Sequence, residues 1–204
     1  MTHRSLSGIV LAGGRSTRMG SDKRHLALRG LSLVDRALQT IDRLVDDVVV
    51  VTHGEEGTIG RARVVRDDVS ERGPLGGLLT GLRRIRHLRA LVVPVDMPVL
   101  AEDLLAYLGS ASAGWDITVP RWRGGIEPLV GVYATRCAPH IEQFLRRPSA
   151  SARDFVRTTD LKVRFVGEAE VRRFGNPGEA FFNVNTPEDL REAERLSRGR
   201  VLHP

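Results

Sequence analysis

"SGIVLAGGRSTRMGSDK", residues 7–23, is the stretch whose reading decides the fold. After Ser7 it runs through small, apolar and β-branched residues to Ala12, as a short strand buried on both faces requires. Gly13 and Gly14 break the run, and Arg15, Arg18 and Lys23 follow within ten residues. The segment is too rich in glycine for a core element and too compact for a linker. A buried strand that opens into a glycine turn flanked by cations offers backbone N–H groups to an anion. Two familiar phosphate loops are excluded by spacing. There is no G-x-G-x-x-G, and Lys23 does not directly follow a glycine as the Walker pattern demands.

Working outward, the same rhythm repeats. "DVVVVT" (Asp47–Thr52), "ARVVR" (Ala62–Arg66) and "ALVVPV" (Ala90–Val95) read as further buried strands. Helical periodicity fills the gaps over Leu31–Val45 and Pro74–Leu88. Leu82, Ile85 and Leu88 recur at helical spacing, which places the arginines of "LRRIRHLR" on a solvated face. Strand–helix alternation of this kind predicts right-handed crossovers and a mostly parallel sheet covered by helices.

After Gly109 the rhythm loosens. A helix is expected to begin near Ala101, and others around "APHIEQFLRR" and "SARDFVRTT". Strands are expected at Asp116–Pro120, Pro128–Ala134 and Lys162–Val166. In "NTPEDLREAERL", Thr186 is placed as an N-cap, Pro187 at the first helical position, and Glu188 and Asp189 in the first turn. The expected architecture is one α/β domain with a core over about residues 7–198 and a short basic C-terminal tail.

Composition narrows the function. The 204 residues carry 31 Lys+Arg against 25 Asp+Glu, a formal charge of +6 that suits polyanionic ligands. Aromatic residues make up only 5%, and "LRRIRHLR" contains none, so a stacking groove for single-stranded nucleic acid is not expected. The apolar run from Gly8 to Ala12 is far shorter than a signal-peptide core or a membrane span. Cys137 is the lone cysteine, which precludes an internal disulfide. A cytoplasmic protein without membrane or nucleic-acid partners is expected.

Ligands of parallel α/β sheets gather outside the carboxyl ends of the strands, and the polar segments fall there. Arg15 and Arg18 supply guanidinium forks for a triphosphate, while Lys23 supplies a compact charge for the phosphoryl group under attack. The chain uses lysine only at 23 and 162, so a lysine in this loop stands against an arginine default. Asp96, at the end of a buried strand in "VVPVDMPVL", is placed to hold Mg²⁺; capping of the following helix is the alternative. Asp67 is suited to accept hydrogen bonds from a base amide and exocyclic amine, with turn chemistry as the alternative. Glu127 precedes a proline at a strand start in "GGIEPLVGVY". Asn183 and Asn185 lie two apart in "FFNVNTPEDL" and share one side of an extended segment, facing a ligand or packing on the Thr186 cap. His53 sits just beyond the second strand, at the crevice edge. No zinc-ligand spacing and no G-x-S-x-G elbow occur.

In order and spacing these segments resemble the molybdenum cofactor guanylyltransferase family of MobA-like nucleotidyltransferases. The resemblance runs from about Gly8 to Leu196. "LAGGRSTRMGSDK" is its most specific part, supported by "DMP", "EPLVGVY" and "NVNTPEDL". It implies a Rossmann-like three-layer α/β/α fold of the glycosyltransferase-A-like type. The implied activity is transfer of GMP from Mg-GTP to the terminal phosphate of molybdopterin cofactor, with pyrophosphate released. Leu11, Ala12, Gly13, Gly14, Arg15 and Lys23 would then line the GTP site, with Thr52 at a neighbouring strand end. Asp67 would face guanine, and Asp96 would hold Mg²⁺ as well as nucleotide. Lys23, Asp96 and Arg18 would carry the catalysis. Glu127, Asn183 and Asn185 would lie on the acceptor side. Related cytidylyltransferases tend to carry "LAAG", so the "LAGG" of this chain favours guanine, whereas "VTHGEEGTIG" (residues 51–60) departs from the family pattern. Proteins that deliver or receive the cofactor are expected as transient partners. A cytidylyltransferase, a sugar-1-phosphate nucleotidyltransferase and a catalytically silent nucleotide-binding regulator remain open as alternatives.

Overall fold

The computed structural model describes residues 6–13 and 26–197. The expectations for Gly14, Arg15, Arg18 and Lys23, and for the C-terminal tail, lie outside the described residues. Strand β1 is Ser7–Leu11, buried throughout. After the undescribed loop, β2 (Ala27–Leu28) and β3 (Leu31–Ser32) form a two-stranded hairpin. Arg29 and Gly30 both have positive φ, as the tight turn between them demands. This hairpin shortens the helix expected over Leu31–Val45. Ser32 becomes the N-cap, its Oγ accepting the Asp35 N–H at 3.0 Å, and α1 is Leu33–Ile41.

The chain continues through β4 (Asp47–Thr52), β5 (Gly57–Ile59) and β6 (Ala62–Arg66). Helix α2 (Gly73–Arg84) leads into β7 (Arg89–Pro94), and α3 (Glu102–Ala111) into β8 (Ile117–Trp122). Then come β9 (Gly125–Ile126), β10 (Gly131–Ala134), α4 (Cys137–Phe144), α5 (Ala152–Thr158) and β11 (Val163–Val166). Short helices α6 (Glu168–Val171) and α7 (Pro177–Ala180) precede α8 (Pro187–Ser197). Thr186 caps α8 as expected, its hydroxyl accepting the Asp189 N–H at 3.1 Å.

The main sheet has the order β11-β8-β10-β7-β1-β4-β6-β5, with β9 paired to β8. The neighbours β7, β1, β4 and β6 are parallel, as are β8 and β11, whereas β10 runs antiparallel between β7 and β8. Two reversals therefore leave β8 pointing the same way as β7. Alternate residues of β1 feed two cores: Val10 packs with Leu33, Ile41, Leu104 and Leu108 on one face, and Ile9 with Leu75, Leu78, Ile141 and Phe155 on the other. This is the expected three-layer α/β/α arrangement. Helix α2 lies unusually close to the sheet. A Cβ on Gly81 would sit 2.7 Å from Ile9 Cγ2 of β1, and one on Gly76 2.5 Å from the carbonyl oxygen of Val69 in the turn before α2, so glycine permits the helix to pack close against both.

The helix expected to reach Leu88 stops at Arg84, with Ile85 already extended. Two buried polar side chains capture the next residues: Asp47 Oδ2 accepts the Arg86 N–H at 2.9 Å, and Ser7 Oγ accepts the His87 N–H at 3.2 Å. Leu88 is consequently 80% exposed rather than on an apolar helix face, and Arg89 begins β7, where its guanidinium donates to the carbonyls of Ser112 and Trp115. Cys137 is fully buried, and burial raises its thiol to about 12, which suits a packed structural thiol rather than a nucleophile.

Candidate active site

The carboxyl ends of β6, β4, β1 and β7 adjoin one another because these strands are parallel. Backbone hydrogen bonds continue the sheet ladder past the strand ends and tie the polar segments together. Asp67 N–H donates to the Thr52 carbonyl (2.7 Å), Ala12 N–H to Val51 (2.8 Å), Val95 N–H to Leu11 (3.1 Å) and Val184 N–H to Asp96 (2.7 Å). Segments more than a hundred residues apart in sequence are thereby fixed along one edge: Asp67, Thr52, Ala12, Asp96 and the Asn183–Asn185 stretch.

At one end of this line, Asp67 is buried beside α2. Its Oδ1 accepts the Thr80 hydroxyl at 2.8 Å and the Val69 N–H at 2.9 Å. Neither bond involves Oδ2, which lies 3.6 Å from where a Cβ on Gly77 would stand. One carboxylate oxygen is thus clamped, while neither of these bonds engages the other. Thr80, fully buried, also accepts the Asp68 N–H at 3.2 Å, so a single helix residue sets the whole turn. Asp68 itself turns outward to pair with Arg84. The amino end of α2 begins beside this turn and adds its positive dipole end to the same crevice.

At the centre, Leu11 and Ala12 are buried and Gly13 is exposed. Thr52 stands at the strand end, but its side chain is buried and its hydroxyl accepts the Gly54 N–H at 3.1 Å. His53 takes the outward position instead. A Cβ on Gly13 would come within 3.0 Å of its Nε2, so the imidazole covers the first residue of the glycine-rich turn.

Asp96 follows β7 and is half-buried. Among the described residues no cluster of three His, Cys, Asp or Glu forms a ready-made cation cage. A single strand-end carboxylate does fit Mg²⁺, which takes one or two protein carboxylates and completes its shell with phosphate oxygens and water. Past Asp96, Val184 is buried, and Asn183 and Asn185 on either side of it are both exposed. They share one side, as their spacing requires. Asp189 Oδ2 accepts the N–H groups of Asn185 and Thr186 (2.9 Å each), so the α8 cap stiffens the segment through its backbone.

Glu127 lies after the β8–β9 hairpin, on the same edge of the sheet, because β8 runs in the direction of β7. Its N–H donates to the Pro120 carbonyl at 3.1 Å. Burial raises its carboxyl above the ordinary range, and Arg153 pulls the other way without cancelling the effect. Thr80, which clamps Asp67, was not visible as a site residue in the sequence, because it lies thirteen residues further on, within α2.

A mostly parallel sheet with helices on both faces, and polar residues aligned outside its carboxyl strand ends, defines a nucleotide-handling α/β enzyme. Comparison with known proteins specifies which. A family model described as a MobA-like NTP transferase domain matches residues 8–163. A relative named "Probable molybdenum cofactor guanylyltransferase" from Pelotomaculum thermopropionicum is 34% identical over 200 residues, covering 96% of this chain and 97% of the relative. The "Molybdenum cofactor guanylyltransferase" of Desulfosudis oleivorans is 31% identical over 201 residues, covering 97% and 98%. The crystal structure of "Molybdopterin-guanine dinucleotide biosynthesis protein A" from Archaeoglobus fulgidus superposes with a TM-score of 0.78 at 24% identity, covering 96% of this chain and all of that one. The chain belongs to the MobA-like NTP transferase family and is a nucleotidyltransferase.

Proposed function

We propose that the protein transfers GMP from Mg-GTP to the terminal phosphate of molybdenum–molybdopterin cofactor, forming the guanine dinucleotide and releasing pyrophosphate. The observation that carries this reading is the line of strand-end hydrogen bonds. It brings Asp67, Leu11–Gly13, Asp96 and Asn183–Asn185 to one edge of the sheet, which supports reading them, in that order, as base-reading, phosphate-binding, metal-holding and acceptor-side groups. The names of the relatives agree with it.

In this reading Asp67 Oδ2 accepts from the guanine amide and exocyclic amine, a donor pair that cytosine lacks. The N–H groups of the glycine-rich turn, with Arg15 and Arg18, hold the triphosphate. Mg²⁺, when bound, neutralises triphosphate charge, and Asp96 is the residue that would hold it. An oxygen of the acceptor phosphate attacks the α-phosphorus as the bond to the β-phosphate breaks, and the electron pair leaves on pyrophosphate. Lys23 stabilises charge on the α-phosphoryl oxygens, so positioning and electrostatics supply the rate. No general base is required, because a phosphate monoester has its second pKa near 6. Glu127, Asn183 and Asn185 orient the acceptor.

One domain, a cytoplasmic setting and transient contacts with proteins that deliver or receive the cofactor complete the proposal. Among the described residues no helix is long and apolar enough to cross a membrane. The test is pyrophosphate release in wild type, Asp96→Ala and Lys23→Met, each with and without molybdopterin cofactor. Release is expected only with GTP, Mg²⁺ and acceptor together, falling at least a thousandfold in both variants while their melting temperatures hold. Wild-type release by Asp96→Ala would remove the metal role, and acceptor-independent release would remove the transferase reading.

A further inference from the structure

Arg36 is an anomaly in the core. It lies on α1, is only 5% exposed, and forms no ion pair among the described residues. One Nη2 bond, 2.8 Å to the Leu28 carbonyl, is its recorded partner, and its buried Nε–H has none. Burial lowers the pKa of the guanidinium, and nearby Arg29 lowers it further. A buried cation without a counter-ion is costly, and an apolar side chain of similar shape would fill the space more stably. Packing alone therefore does not account for an arginine here.

Its surroundings supply an account. A void of about 10 Å³, room for one water, lies against Arg36 and Thr40 on one side and against Pro94, Val95, Met97 and Pro98 on the other. Those last residues flank Asp96. The Leu28 carbonyl, which accepts from Nη2, belongs to β2, the first strand after the glycine-rich loop. One rigid fork thus stands between the two segments that must hold triphosphate and metal in fixed relation.

We propose that Arg36 is a positioning residue, a buried strut that holds the Asp96 turn in register with the exit of the glycine-rich loop. It bonds the Leu28 carbonyl directly and the turn's backbone through a water in the void. Arginine suits the task because its donors are fixed in one plane, whereas a lysine ammonium is a single point. The functional consequence rests on the reading of Asp96 as the metal- and nucleotide-holding carboxylate.

The experiment is amide hydrogen exchange on the substrate-free protein, comparing wild type with Arg36→Met and Arg36→Lys. The reporters are Val95, Leu100 and Val184, whose N–H groups bond Leu11, Met97 and Asp96. Ala134 and Thr135, bonded to Asp116 and Leu88 at the other end of the sheet, are controls. In Arg36→Met the reporters are expected to exchange at least tenfold faster while the controls hold and the melting temperature does not fall. Arg36→Lys is expected to show the same local loosening, and it serves alone if the methionine variant does not fold. The Mg²⁺ concentration for half-maximal transfer should rise at least fivefold in either variant.

Unchanged reporter exchange would overturn the strut, as would full restoration by lysine. Faster exchange with unaltered Mg²⁺ dependence would overturn its link to catalysis. Loosened reporters in a protein whose wild type transfers no GMP would count against the assigned reaction and leave the strut standing.

Discussion

Asp67 shows how one residue can be both anchored and available. Thr80 and Val69 hold Oδ1, which fixes the plane of the carboxylate; in the proposed reading Oδ2 is the atom that meets the base. A site built to accept hydrogen bonds rejects analogues that cannot make them, because its own buried polar atom is then left unpaired. Replacing Asp67 by Asn swaps an acceptor for a donor at this point. Asp67→Asn is expected to lower kcat/KM for GTP about a hundredfold and to improve the use of xanthosine triphosphate, whose ring offers an acceptor where guanine offers an amine. Steady-state kinetics with both nucleotides checks it, and an unchanged preference would show that the base is read elsewhere. Asp67 itself was legible in the sequence as an acid at a strand end. Its clamp was not, since Thr80 lies thirteen residues away and meets it only once α2 has folded back over β4 and β6.

The elements around the site are held by contacts that a sequence pattern does not contain. Helix α2 packs so closely on the turn that precedes it that Gly76→Ala would force its new methyl onto the Val69 carbonyl, 2.5 Å away. A loss of about 1–3 kcal/mol is expected, read as a melting temperature lower by roughly 2–4 °C for each kcal/mol. At the opposite end of the sheet, Asp47 joins β4 to β1 and to the start of β7. Burial would raise its carboxyl, but hydrogen bonds from Ser7, Arg63 and the Arg86 N–H outweigh this and hold it below the usual carboxylate range. A carboxyl depressed in the folded state stabilises above its unfolded pKa of about 3.9, and that stability is lost as pH falls through the folded value. Asp47→Asn is therefore expected to cost about 2–3 kcal/mol at pH 7, with the gap from wild type narrowing below about pH 4. Urea titrations across that range measure it. The same residue explains why helical periodicity overran at Leu88. Leu82, Ile85 and Leu88 keep the spacing, but Asp47 and Ser7 take the backbone N–H groups of Arg86 and His87 and turn the chain into β7. Likewise the Arg29–Gly30 turn, not apolar spacing, decides where α1 begins.

For the molecule as a whole, buried β-branched runs marked the parallel strands well enough to locate the crevice, since parallel strands must place their carboxyl ends together. The antiparallel insertion of β10 was not legible, because direction leaves no mark on a short apolar run. In the proposed reading, donor base, reacting phosphates and acceptor follow one another along the aligned edge that runs from Asp67 past Ala12 and Asp96 to Val184. Guanylyl transfer to a pterin-bound phosphate is the central claim, and it is tested most directly by the product. The purified protein would be incubated with molybdenum–molybdopterin cofactor, Mg²⁺ and equimolar GTP, CTP and ATP, and the dinucleotide identified by mass spectrometry. The guanine dinucleotide is predicted as the dominant product, with pyrophosphate in equal amount; a cytosine dinucleotide, or unmodified cofactor beside intact GTP, would contradict the account.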